Sequence, residues 1–171
     1  MPSASGLGPG GRLRARERAT QAALLAYSHA SQITYVHPMH PDGMDRWEGI
    51  HKHLNARLGK FPKHSDCSSF ATWCLWNALF LGFNLGDIVN GDGWNGGYTG
   101  TMRSHGLLVQ HASNLLRGDC VHYGPGDGDH VAIVVGRQNG VPMVVSHGSE
   151  QCPCFVRYDY RSDVSQFRRY I

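Results

Sequence analysis

Ser65-Asp-Cys-Ser-Ser-Phe-Ala-Thr-Trp-Cys-Leu-Trp-Asn-Ala-Leu-Phe-Leu-Gly82 is the stretch on which the reading of this chain turns. Apolar residues at Phe70, Ala71, Trp73, Cys74, Ala78, Leu79 and Leu81 form the wide stripe of a buried helix. Ser65 or Asp66 is a good N-cap, and Gly82 is a natural stop. Cys67 therefore falls in the first helical turn, beside backbone N–H groups and the positive end of the dipole. A thiol so placed is expected to lean toward thiolate, the form that attacks carbonyls. Cys74, between Trp73 and Leu75, reads as a small buried hydrophobe. Cys67 does not, because Asp66, Ser68 and Ser69 around it are polar.

Outward from this helix the pattern divides in two. Upstream, residues 1–11 are rich in Gly, Pro and Ser and read as a flexible tail. Arg12 to about Ala30 predicts a helix, and Ile33–Val36 a short strand. Residues 37–64 are loop-like, with a short helix expected around Trp47–Leu58. Downstream, residues 83–104 read as a long glycine-rich loop, and long ordered loops in compact domains are usually functional. Met102–Gln110 suggests a short helix. Beyond Arg117-Gly-Asp119 the period becomes two, with strands expected at Cys120–Tyr123, His130–Val135, Pro142–Ser146, Phe155–Tyr158 and Phe167–Ile171. Helices followed by an antiparallel meander make the fold class α+β. Residues 12–171 read as a single domain.

A chain of 171 residues can bury a real core without disulfide staples. Its five cysteines are an odd number, and Cys152-Pro-Cys154 is too tight for an easy disulfide, so this is no disulfide scaffold. The net charge of +3 is mild. Neither Arg12–Arg18 nor Arg168-Arg169 is interleaved with aromatics, so nucleic-acid binding is not implied. There is no apolar signal region and no run of transmembrane length, which predicts synthesis in the cytoplasm and no stable membrane association. No heptad or exposed apolar face is legible, so a monomer is expected.

A cysteine nucleophile needs a base, usually a histidine oriented by a third polar group. Of the eleven histidines, His130 opens the apolar strand Val131–Val135 directly after a Gly/Asp-rich turn. There a side chain has a fixed direction while staying accessible. For the third member two residues compete. His147 ends the next strand, which should pair beside that of His130, while Glu150 offers the charge that best stabilises an imidazolium. A different chemistry would use His37, His40, His51, His53 and His64, of which His51-Lys-His53 could supply two zinc ligands. No His-Glu-x-x-His or Cys-x-x-Cys pattern accompanies them, and the expectation is no metal and no cofactor.

Asp66-Cys-Ser-Ser-Phe70 at a helix start, Arg117-Gly-Asp119 before a strand, His130-Val-Ala-Ile-Val-Val-Gly136, and a following strand ending at His147 resemble the NlpC-type cell-wall cysteine peptidases. The resemblance spans roughly residues 33–171. It implies a papain-like core and hydrolysis of peptidoglycan stem peptides through a Cys67 acyl-enzyme. His130 would be the base and His147 or Glu150 the third member. The Cys67 backbone N–H and Tyr35 would receive the oxyanion, supported by Asp66 and Ser68. Trp94 and Tyr98 would line the substrate groove. The related CHAP enzymes share the Cys-then-His order, which keeps an N-acetylmuramoyl-L-alanine amidase as the alternative; a non-catalytic wall-binding module, or acyl transfer to an acceptor other than water, is a more distant one. The layout with Asn95–Met102 and Ser146–Glu150 also resembles the peptidase module of endolysins from phages of mycobacteria and related actinobacteria. That likeness implies release to the wall through holin openings, and either an excised module or a minimal lysin.

Overall fold

A computed structural model of the chain describes residues 6–36, 56–79, 87–91, 97–148, 150–151 and 153–171. The helices are α1 (Pro9–Ser28), α2 (Cys67–Leu79) and α3 (Thr99–Ser104). The strands are β1 (Thr34–Tyr35), β2 (His64–Ser65), β3 (Leu107–Val109), β4 (Cys120–Tyr123), β5 (His130–Gln138), β6 (Val141–Ser146), β7 (Cys154–Arg157) and β8 (Val164–Arg169). The mixed α+β class expected from the sequence is the class observed.

Packing follows from residue size and period. Pro9 stands in the first turn of α1, where its missing N–H loses nothing. Ala15, Ala19, Ala22, Ala23 and Ala26 then form one buried stripe whose small side chains let α1 lie close on α2. Helix α2 is buried on every side, sandwiched between α1 and β5. That is why its sequence is apolar nearly all round.

The larger sheet runs β3-β8-β4-β5-β6-β7, antiparallel at every pairing. From β4 to β7 it is the expected meander; β8 then returns to the far side of β4. One face, with Cys120, Val131, Ile133, Val135 and Val145, packs on the helices. The other, with Val121, Tyr123, Ala132, Val134 and Val144, carries a second apolar cluster under Tyr158, Tyr160 and Phe167. Asp119 is buried where β4 begins; Arg169 grips its carboxylate with two N–H donors at 2.8 and 2.6 Å, tying β8 to the turn. A separate parallel pair, β1 with β2, sets Tyr35 beside Ser65.

Three expectations change. The tail is shorter than residues 1–11, since Leu7 is buried and the helix begins at Pro9. The helix expected over Met102–Gln110 ends at Ser104, and Leu107–Val109 instead pairs with β8 as an edge strand. Part of the long loop is helical, as α3. Most of the Trp47–Leu58 segment lies outside the described residues, its end forming a 3-10 turn at Ala56–Leu58. No helix among the described residues is long and apolar enough to cross a membrane.

Candidate active site

The first turn of α2 is built by a reciprocal cap. The Asp66 carboxylate accepts the Ser69 N–H at 2.8 Å, and Ser69 Oγ accepts the Asp66 N–H at 2.8 Å. Serine here does the work of the Glu or Gln in a capping box. Asp66 also accepts the Ser68 hydroxyl at 3.2 Å. The cap is thus Asp66, and Cys67 is the first residue of the helix. By position its backbone N–H has no carbonyl partner within the helix.

The Cys67 side chain is nearly buried and touches three elements. Its sulfur receives the backbone N–H groups of Val131 and Ser68 and the hydroxyl of Thr99. Val131 follows His130 directly, so the thiol sits at the mouth of β5, one peptide from the imidazole. The expected lean toward thiolate is not what the structure gives. Burial, aided by the negative charge of Asp66, pushes the thiol up to about 12, against those three hydrogen bonds. The dipole at the helix N-terminus is outweighed because the sulfur is desolvated.

His130 is clamped on its faces and at one nitrogen. Its ring lies on Tyr123, with centroids 5.5 Å apart, and Gly148 backs its edge. A Cβ on Gly148 would stand 2.5 Å from His130 Cε1 and 2.8 Å from Nδ1, so only glycine leaves that edge open. Nε2 meets Ser146 Oγ at 2.8 Å. Burial brings the imidazole down to about 4; Glu150 and Asp163 pull the other way, while Arg161 and His147 add to the lowering. Thiol and imidazole are therefore two neutral neighbours, with no direct hydrogen bond between them.

His147 is not the partner of His130. Its Nε2 meets the Ser65 carbonyl at 2.9 Å, and its ring makes edge contacts with Tyr35 and Phe70. The reason is strand alternation. Ala132 pairs with Ser146, so His130, Ala132 and Ser146 share one face while Val131, Val145 and His147 share the other. His147 thereby ties β6 to the strand that leads into Cys67. Glu150 does lie on the His130 side, at 3.5 Å from Ser146 Oγ. Burial resists its ionisation, but the Tyr160 hydroxyl, backbone N–H groups and the nearby His130 outweigh this and hold the carboxyl below its ordinary range.

The loop before β3 closes another side. Gly97 packs on the first turn of α2, accepting the Ser68 hydroxyl at 3.2 Å. A Cβ there would meet the Ser68 carbonyl at 2.6 Å, and φ is +89°, so the close approach requires glycine. Tyr98 donates to Asp127 at 2.9 Å, linking this loop to the turn before His130. Tyr98 is partly exposed beside the site, whereas Trp94 lies outside the described residues. Tyr35 joins the cluster through His147 and Ser65. Sequence reasoning missed Thr99, Ser146 and Tyr160, which are ordinary hydroxyl residues with no local signature. Among the described residues no group of three His, Cys, Asp or Glu side chains could hold a metal; His37, His40, His51 and His53 lie outside them.

No protein-family model and no curated protein matches this sequence. Among solved structures, NlpC1 from Trichomonas vaginalis is similar, with a TM-score of 0.52 and 21% identity over 89% of this chain and 44% of that one. NlpC2 from the same organism gives 0.52 and 19% over 90% and 46%. The peptidoglycan hydrolase RipB from Mycobacterium tuberculosis is 18% identical over 100% and 94%, with a TM-score of 0.46. The chain thus has the NlpC fold, and it spans less than half the length of the two Trichomonas proteins.

Proposed function

We propose that this chain is a cysteine-dependent amide hydrolase that cleaves peptide bonds of peptidoglycan. The observation that carries the reading is the meeting of the α2 N-terminus and the β5 mouth. It brings the Cys67 thiol onto the backbone N–H of Val131, the residue after His130, in an NlpC fold. Cys67 attacks the scissile carbonyl while its proton passes to His130. Because both groups rest neutral, proton transfer accompanies attack instead of preceding substrate binding. The Cys67 N–H and Tyr35 receive the oxyanion. His130 then protonates the leaving amine and activates water to release the acyl group.

Tyr98, exposed and adjacent in the chain to Thr99, which bonds to the thiol, is assigned to the substrate groove. Peptidoglycan is the substrate because the Asp66–Phe70 and His130–Gly136 motifs resemble the wall peptidases. The same likeness supports an endolysin setting, with a monomer released to the wall through holin openings. An N-acetylmuramoyl-L-alanine amidase would use the same residues, and only the fragments distinguish it.

Fragment release from purified mycobacterial-type peptidoglycan tests this. Cys67→Ala should abolish release, EDTA should leave it intact, and mass spectrometry of the fragments should identify the bond. Release that survives Cys67→Ala, or is lost with EDTA, would transfer the chemistry to the histidine-rich segment.

A further inference from the structure

Behind His130 three hydroxyl and carboxyl groups follow one another in a line that the thiol–imidazole mechanism does not account for. Ser146 Oγ lies 2.8 Å from His130 Nε2 and 2.9 Å from the Tyr160 hydroxyl. Ser146 Oγ also reaches Glu150 Oε2 at 3.5 Å, and the Tyr160 hydroxyl beside that carboxyl helps hold it below its ordinary range. Ser146 is fully buried, His130 nearly so, and Tyr160 rests edge-on against Tyr123, the same ring that supports His130.

We propose that Ser146, Tyr160 and Glu150 form a relay of positioning residues that takes the place of a single third member. This rests on the peptidase reading for its purpose, but not for its geometry. The direction of every hydrogen bond follows from its far end. An ionised carboxylate only accepts, so Ser146 faces Glu150 as a donor. The single Ser146 proton is directed away from His130, to the Glu150 carboxylate or to the Tyr160 oxygen. Ser146 Oγ can meet Nε2 only as an acceptor, so Nε2 carries the proton. Nδ1 is left bare, on the edge that Gly148 keeps open, as the basic nitrogen that receives the Cys67 proton. No proton moves along the relay. When Nδ1 is protonated in turnover, the imidazolium is stabilised by a chain of aligned hydrogen bonds ending in a negative charge.

The charges facing His130 are Glu150 and Asp163 on one side of the balance and Arg161 and His147 on the other. Arg161 is engaged by Asp163 at 2.6 Å and lies over the Tyr123 ring. Glu150 is the carboxylate of this set that the relay reaches. Ser146 reaches it directly at 3.5 Å, with the Tyr160 hydroxyl 2.9 Å from the same Ser146 oxygen.

Turnover and its pH profile would be measured for wild type, Ser146→Ala, Ser146→Thr, Tyr160→Phe, Glu150→Gln and the Ser146→Ala/Glu150→Gln pair. Thermal melts would accompany them to confirm folding. Ser146→Ala should lower kcat by roughly 10- to 100-fold with KM little changed, and Ser146→Thr should restore most of it. Glu150→Gln alone should lower kcat about tenfold and move the acid limb to lower pH. In the Ser146→Ala background it should add less than about twofold, since a cut relay no longer transmits it. A Ser146→Ala enzyme within about twofold of wild type, or full additivity in the pair, overturns the relay. If Ser146→Ala fails to fold, Tyr160→Phe carries the same test. Nitrogen NMR of histidine-labelled chain decides the matter without turnover. A protonated, downfield Nε2–H on His130 that disappears in a folded Ser146→Ala, or is weakened in Tyr160→Phe, supports the relay, and a bare Nε2 in wild type sinks it. An inactive wild type would remove the peptidase reading while leaving this spectroscopic result to stand.

Discussion

At Cys67 the decisive quantity is desolvation. The thiol is pushed up to about 12 and the neighbouring imidazole down to about 4, so at neutral pH a negligible fraction exists as thiolate. Alkylation by iodoacetamide, read by mass spectrometry on the Cys67 peptide, should therefore be slow at pH 7 and climb continuously through pH 9. A preformed thiolate–imidazolium pair would give a plateau at neutral pH, and that plateau would refute the neutral resting site. Gly148 makes a second test at the same scale. Its backbone is not in the left-handed region, so alanine there strains nothing locally, but the methyl would stand 2.5 Å from His130 Cε1. Gly148→Ala should lower kcat at least about tenfold through displacement of the ring, as 1 Å misplacements at reacting centres do. Melting should change far less than activity. Cys67 and His130 were legible in the sequence because each is marked by immediate neighbours, polar ones around the cysteine and a Gly/Asp turn before an apolar strand. Ser146 and Tyr160 were not, because their meaning depends on which face of β6 points at His130, and that face is set by register.

The elements show how local signals survive or fail. Helix α2 was legible over its described length because its cap, its apolar period and its burial agree, while the stop expected at Gly82 lies outside the described residues. β4 matches its expected limits because β-branched residues and turns bound it. The Met102–Gln110 segment was misread because Leu107 and Leu108 fit a helical stripe in sequence, whereas their backbone pairs with Arg169 and Arg168 across 60 residues. Both leucines remain exposed, as an edge strand allows. The cap of α2 offers a test that separates support from chemistry. Asp66→Ala removes the acceptor for the Ser69 N–H and the Ser68 hydroxyl and should cost roughly 1–2 kcal/mol in denaturant unfolding. Asp66→Asn keeps an oxygen in place and should cost less. It also deletes the charge that helps raise the thiol, so its Cys67 should alkylate faster than wild type at equal pH. Equal alkylation rates would show that burial alone sets the thiol.

Across the whole molecule, buried histidines couple the fold to pH. His122 on β4 is fully buried, with Nε2 3.5 Å from the Tyr170 hydroxyl, while His130 opens β5. Burial lowers His122 to about 3, helped by Arg103, Arg168 and His130, and lowers His130 to about 4. Above the ordinary histidine value of about 6.5 both are neutral, folded or unfolded, and neither makes stability depend on pH. Below it the unfolded chain takes up protons that the folded chain refuses, so the unfolded state gains and stability falls as pH drops from about 6.5 toward 4 and then 3. Each unit of difference is worth roughly 1.4 kcal/mol, enough for two such groups to erode most of a typical domain's margin. Urea midpoints should accordingly decline steadily between pH 6.5 and 4. His122→Gln, which removes the titrating ring while retaining a polar side chain, should flatten that decline even if it lowers the midpoint at pH 7. Glu150 also contributes, because a carboxyl held below its ordinary range in the fold loses its stabilisation as pH falls, so Glu150→Gln should flatten the decline near pH 4. A decline unchanged by both substitutions would remove the buried histidines as its cause.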